Sequence, residues 1–289
     1  MKCYRTTREG SARAVVAVDG TAYDLTAVEP SIHGFEDVAR VADERDASIE
    51  ALIHETIPDA PELDVETLAE TAEVPLTAEE IWAAGVTYEI SEAAREEESG
   101  MEQLYLDVYE AERPELFLKS TARRVVGPDG TIGVREDSGW DVPEPELGIV
   151  LYEGEIVGYT VGNDVSSRAI EGANPLYLPQ AKIYDRSCSI GPCVVPATTR
   201  SDWDDRPMSM QIRRDGDVVF DGETSTSKMV RSHEELVSYL TRHNDIPAST
   251  VLLTGTSLVP DDEFTLTEGD TVEITIDGIG RLTNDVTTV

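Results

Sequence analysis

The amino-acid sequence predicts a mainly β protein of the α+β class, with a small N-terminal α+β domain over residues 1–75 and a larger domain over residues 76–289. Three observations predict it. Seven short runs rich in Val, Ile, Leu and Thr succeed one another from Glu115 onward, as strands bounded by turns do. One strong helical signal, Glu234–Arg242, interrupts them. Pro58, Pro61 and Pro75 break any longer element just before the texture changes at Leu76.

In chain order, Ala14–Val18 and Thr21–Leu25 read as strands joined by the turn Asp19-Gly20. Ser48–His54 and Val65–Ala72 read as short helical or loop segments. Thr77, with Glu80 three residues on, forms a capping box for a short helix over Ala78–Ala84. The stretch Glu89–Glu112 is helix-prone, charged and poor in core residues, which suits either a solvated helix or a mobile lid. The seven strand runs are Leu116–Leu118, Leu147–Leu151, Ile156–Val161, Met208–Ile212, Val218–Phe220, Val251–Thr254 and Thr271–Ile276. Ser232 opens the helix after the fifth, with Glu235 at the capping-box position.

Composition excludes several classes. At 289 residues and 40% hydrophobic content the chain can build a real core. A run of about 18 apolar residues is missing, so no membrane-spanning helix is expected. The first residues, Met-Lys-Cys-Tyr-Arg, lack the apolar stretch of a secretory signal. Cys3, Cys188 and Cys193 are an odd number without metal-site spacing, which predicts buried free thiols in a reducing cytoplasm. The net charge of −35 comes from 58 acidic residues spread along the chain against 23 basic ones. Distributed excess charge over a normal core suggests a halophilic cytoplasm, where salt screens self-repulsion. It also argues against nucleic acid or an anionic membrane as partner.

Glu-x-Glu pairs are common in so acidic a chain, and Glu153/Glu155 is one of them. Glu144 and Glu146 differ in their setting, Val-Pro-Glu-Pro-Glu-Leu-Gly-Ile-Val-Leu, where the two-residue period of an apolar strand points both to one face. The chain turns near Gly154 and returns to Asp164. A three-residue loop, Glu153 to Glu155, sets position 144 opposite 164 and 146 opposite 162, with all three carboxylates on one face and Gly162 leaving space beside Glu146. A two-residue loop sends Asp164 to the other face. Converging carboxylates repel unless a cation sits among them, and an all-oxygen set suits Mg²⁺, Mn²⁺ or Ca²⁺. Spacing alone leaves open a second reading, three solvated surface acids.

Ordered blocks then make the chain recognisable. They are Phe-Leu-Lys119, Glu144-Pro-Glu146-Leu, Asn163-Asp164-Val-Ser-Ser-Arg168, Lys182 after Leu-Pro-Gln, Thr254-Gly255-Thr256, and Gly269-Asp-Thr-Val-Glu273 through Asn284. From Phe117 to Val195 the sequence resembles the fumarylacetoacetate hydrolase family, and the likeness extends from about Ala83 to the C-terminus. The resemblance implies a mixed β-roll and a homo-oligomer, dimer or tetramer, acting on a small 2-oxo acid. It implies a cation, Mg²⁺ first, on Glu144, Glu146 and Asp164, with Lys182 beside it. It places Gly255 and Thr256 on the substrate carboxylate, and Lys119, Arg168 and Tyr88 among the substrate-binding groups. Arg168 equally suits a structural ion pair.

One departure is informative. Family hydrolases carry a water-activating His and Glu after a Gly-x-Asn-Tyr segment; here Gly85-Val-Thr-Tyr88 is followed by Ser91 and Ala94 at those positions. The blocks Arg113–Lys119, Asp137–Trp140 and Asn174–Tyr184 resemble, more narrowly, the family's archaeal 2-keto-3-deoxypentonate dehydratases, which form 2,5-dioxopentanoate. In that chemistry the cation acidifies the C3 proton of the 2-oxo acid. Lys182 is the first candidate base, a buried lysine pushed toward neutrality by the cation. Glu115 is the second, since the strand period puts it on the face of Phe117 and Lys119. Another family reaction (acylpyruvate hydrolysis, oxaloacetate decarboxylation or isomerisation) and a non-catalytic cation-binding module remain alternatives.

Overall fold

The computed structural model describes residues 1–65, 68–89 and 106–289. Ser91, Ala94 and most of the helix-prone stretch Glu89–Glu112 lie outside the described residues.

Eleven of the described strands form one mixed sheet. Its order is Glu62–Leu63, Thr21–Asp24, Ser11–Val18, Lys2–Arg8, Cys188–Pro196, Glu155–Asp164, Pro145–Tyr152, Ser249–Leu253, Glu80–Gly85 and Glu115–Thr121, with Val125–Val126 also on Cys188–Pro196. A second sheet runs Asp217–Ser225, Pro207–Arg214, Thr271–Ile276, Gly280–Thr288 and Thr131–Val134. Lys2–Arg8 pairs with Cys188–Pro196, so the N-terminal strands are continuous with the rest of the large sheet.

Two cores lie on its two faces. Leu147, Ile149 and Leu151 pack toward the second sheet with Met208, Met210, Ile212, Ile274 and Leu282. Val150 points the opposite way, with Val194 and Val251, against Phe35, Val38, Leu52 and Ile53 of the helices Phe35–Glu44 and Ile49–Thr56. The two-residue period of one strand thus serves both cores. Burying each such side chain stabilises the fold by roughly 1.5–3 kcal/mol before entropy is counted. The three cysteines are buried and free.

The expected helix over Ala78–Ala84 is a strand, Glu80–Gly85. Ile81 and Ala83 are fully buried, and the segment pairs in parallel with Ser249–Leu253 and antiparallel with Glu115–Thr121. Two distant partners outweigh a capping signal worth about 1 kcal/mol. The helix His233–Thr241 does form as expected, with Ser232 Oγ accepting from Glu235 N at 3.1 Å.

The hairpin turn is corrected too. Its loop has two residues, Glu153 and Gly154, both at positive φ (49° and 82°), the pattern of a tight type I′ connection. Tyr152 therefore pairs with Glu155, not with position 156. A β-bulge follows: Leu151 faces Ile156 while Val150 faces Gly158, so Val157 is the extra residue. The bulge restores the missing step, and Glu146 still pairs with Gly162.

Candidate active site

Because the register is restored, the hairpin ends bring three carboxylates together. Glu144, Glu146 and Asp164 are all buried, and one oxygen from each lies within 4.8 Å of the others. Backbone bonds fix the junction: Asp164 N donates to Glu144 O at 2.9 Å, and Glu144 N to Asn163 Oδ1 at 3.1 Å. The space beside Glu146 is not open as the sequence suggested. A Cβ on Gly162 would lie 2.4 Å from Leu253 Cδ2, so glycine there yields its room to Leu253.

Three cations, Lys182, Arg168 and Lys119, surround the cluster unevenly. Lys182 ends the helix Leu178–Lys182, and its Nζ donates to Glu144 Oε2 at 2.8 Å, Asp164 Oδ2 at 3.2 Å and Ser166 Oγ at 2.6 Å. Burial opposes the charge on Lys182, yet Asp164, Glu144 and Glu171 outweigh it and hold its pKa well above the ordinary value. These acids favour the charged form of Lys182, whereas a dication among them would favour the neutral form expected from the sequence. Arg168 donates through one nitrogen to Glu144 Oε1 at 2.6 Å and sets the other 3.7 Å from Glu171 Oε2.

The acids respond accordingly. Burial pushes Glu144 up, but Lys182 and Arg168 prevail and hold it down at about 2. Glu146 accepts a 2.6 Å bond from Gly255 N, yet burial with Asp164 and Glu144 keeps its carboxyl well above the usual range. The donor set fits a divalent cation: three carboxylates converge, and a dication among them relieves the repulsion that Glu146 bears. Glu115 is raised as well, by burial first and by Glu171, Glu144 and Asp164, with Lys182 pulling the other way.

A cavity of about 80 Å³ opens onto the cluster, lined by Glu115, Phe117, Arg168, Glu171, Lys182, Thr256 and the three carboxylates among others. Gly85, paired with Glu115, makes the room: a Cβ there would collide with the Glu115 carboxyl. Gly255, at φ 81°, lines the cavity but spends its N–H on Glu146, and a Cβ there would lie 2.8 Å from Ala84 O. Two expected substrate contacts are not in the lining. Lys119 is fully buried behind Asp164. Tyr88 is buried beside Met229, its phenol raised by burial and by Glu146. Glu171 and Ser166 escaped the sequence reading; the spacing of Arg168 and Glu171, three apart on one helix, was the available signal. A larger cleft, about 610 Å³, opens at Trp203 and His233 and shares no lining residue with this site. Converging charge, not volume, marks the candidate.

Known proteins carry the same framework. A family model described as fumarylacetoacetate (FAA) hydrolase C-terminal matches residues 80–287. The chain is 60% identical over 280 residues to the probable 2-keto-3-deoxyxylonate dehydratase of Haloferax volcanii, covering 97% of each. It is 44% identical over 217 residues to the 2-dehydro-3-deoxy-D-arabinonate dehydratase of Saccharolobus solfataricus, covering 73% of each. A solved structure of 2-keto-3-deoxy-D-arabinonate dehydratase complexed with magnesium and 2,5-dioxopentanoate matches with a TM-score of 0.84 at 33% identity, over 100% of this chain and 99% of that one. With the match spanning the ligand hairpin and every group of the cavity, the chain belongs to the fumarylacetoacetate hydrolase family.

Proposed function

We propose that this chain is an Mg²⁺-dependent hydro-lyase that converts a 2-keto-3-deoxypentonate to 2,5-dioxopentanoate. The observation that carries the reading is the cavity's inventory: three converging carboxylates, with Lys182 and Glu115 facing the same small space. The relatives' names support the substrate class. Glu144, Glu146 and Asp164 would hold the cation, whose Lewis acidity acts on the carboxylate and 2-oxo oxygens of a 2-oxo acid.

The chain's own groups supply the proton traffic. Glu115 takes the C3 proton, because a raised carboxyl is a base tuned toward neutral pH. Lys182, kept charged by Glu144 and Asp164, donates to the departing C4 hydroxyl, which leaves as water. The C3–H and C4–O bonds break to give a C3=C4 double bond; C5 then loses a proton and C3 gains one, leaving the C4=C5 enol, which gains a proton at C4 and loses its hydroxyl proton to become the C5 aldehyde. Thr256 and Arg168, at the cavity wall, orient the substrate carboxylate. The buried free thiols support a reducing cytoplasm as the enzyme's location.

The test incubates purified protein and Mg²⁺ with 2-keto-3-deoxyxylonate and, separately, 2-keto-3-deoxyarabinonate. The expected product is one equivalent of 2,5-dioxopentanoate, lost on chelation. Turnover of neither epimer sinks the proposal, and cleavage of an acylpyruvate instead returns the chain to the hydrolases.

A further inference from the structure

Lys119 has an ammonium that is fully spent on the protein. Its Nζ lies 2.5 Å from Asp164 Oδ1 and donates to Val165 O at 2.9 Å and to Lys182 O at 2.5 Å. An ammonium has three protons, and here three oxygens take them. The side chain is 0% exposed and stands 5.9 Å from the centre of the Tyr184 ring.

These contacts join two parts of the site. Asp164 is held at both oxygens, Oδ1 by Lys119 and Oδ2 by Lys182 at 3.2 Å. Its carboxylate cannot swing, and Oδ2 is the oxygen left facing the Lys182 side of the cluster. Lys182 O ends a helix, where a carbonyl lacks a partner within the helix. Lys119 and Ser187 Oγ, at 3.0 Å, provide one. The strand Glu115–Thr121 thus presents Glu115 to the cavity, sets the Phe117 ring 5.5 Å from Lys182 Nζ, and sends Lys119 behind Asp164.

We infer that Lys119 is a positioning residue: it fixes Asp164 for the cation and the backbone of Lys182 for proton transfer, and it does not touch the substrate. The inference rests on Asp164 and Lys182 being site groups, and not on which reaction they perform. A second-layer partner of a metal ligand is worth about 10–100-fold in metal affinity.

The first test is Lys119→Met, which keeps the side-chain length and removes the charge. Calorimetric titration of metal-stripped protein should show the Mg²⁺ Kd raised at least about tenfold. At saturating Mg²⁺, kcat should fall while KM for the keto acid stays within about threefold, since the lost bonds orient catalytic groups. An unchanged Mg²⁺ Kd with a raised KM is the signature of a substrate contact and overturns the inference. The titration needs no turnover, so it decides the matter even if neither epimer is a substrate. The second test uses the wild-type holoenzyme, and so survives a variant that fails to fold. The chain has four lysines, Lys2, Lys119, Lys182 and Lys228. Under brief acetylation read by mass spectrometry, exposed Lys228 should label while Lys119 resists equally with and without keto acid. Labelling of Lys119 that the keto acid suppresses refutes it.

Discussion

On one flank of the carboxylate cluster Glu144 meets two cations, Lys182 at 2.8 Å and Arg168 at 2.6 Å. On the other, Glu146 meets a backbone amide, Gly255 N at 2.6 Å. Both carboxyls are buried, Glu146 in the strand Pro145–Tyr152 and Glu144 just before it, yet one is held at about 2 and the other is pushed well above the ordinary range. The first flank is neutralised by the protein itself; the second is complete only with an added cation. Under the proposed mechanism the site divides into an organic half, which would move protons, and a half that would hold the metal.

The sharpest break of that comparison is Glu146→Ala. It leaves both cations on Glu144 but removes the oxygen that the protein does not neutralise. Turnover should fall on the order of 10³-fold or more, as when a central electrostatic group is lost, with the circular dichroism spectrum retained. Full, chelator-insensitive activity in this variant would falsify the metal half.

Glu115→Gln tests the organic half. It should lower kcat by about 10²–10⁴-fold, the range for a lost general base, and leave the Mg²⁺ Kd within a few-fold. Burial raises the Glu115 carboxyl, and the base form exists only above its pKa. The acid limb of kcat/KM should accordingly lie above the ordinary Glu value of about 4.3 and disappear in the Gln variant. A limb unchanged by the substitution assigns the base elsewhere.

A smaller effect separates the flanks directly. Gly255→Ala forces a side chain onto a residue at φ 81°, 2.8 Å from Ala84 O, and so displaces the amide that holds Glu146. The Mg²⁺ Kd should rise by about 10–100-fold. Arg168→Ala should cost metal affinity less, because Glu144 keeps Lys182. Equal losses from the two variants erase the distinction drawn between the flanks.

What could be read from the sequence follows the distance between partners. The carboxylate hairpin was legible because its two strands are neighbours and the apolar period fixes one face. Its register was right for a partly wrong reason, since bulge and short loop cancel to the same sum, and neither is marked by a residue type. The strand Glu80–Gly85 was misread because what makes it a strand lies at Ser249–Leu253, far along the chain, while the helical capping signal lies next door. Lys182 was legible as a neighbour of the cluster; that Glu144, Asp164 and Glu171 reach it from separate elements shows only once the chain is folded. Lys119 sits in a family block, which says that it matters; that its protons end on Val165 O and Lys182 O is invisible until the backbone is folded.

The smallest expected effect concerns the surface around both halves. Each carries its own charge balance, but the chain as a whole has 58 acids against 23 bases. Lowering the salt acts in two opposed ways. Exposed pairs such as Arg40–Glu44 at 3.0 Å strengthen as screening falls, each by little. Repulsion among the remaining acids strengthens too, and its range grows from about 3 Å in molar salt to about 10 Å at 0.1 M. The 23 bases cannot pair more than a minority of the 58 acids, so repulsion has more terms and wins. Melting temperature should drop by at least about 5 °C, on the order of 1–2 kcal/mol for a chain this size, between molar and millimolar salt. Saturating Mg²⁺ should recover part of that loss, since it binds the folded cluster and not the unfolded chain. The recovery should be absent in Glu146→Ala. A melting temperature that rises on desalting means that the ion pairs dominate the surface, and the reading of the charge as an adaptation to high salt fails.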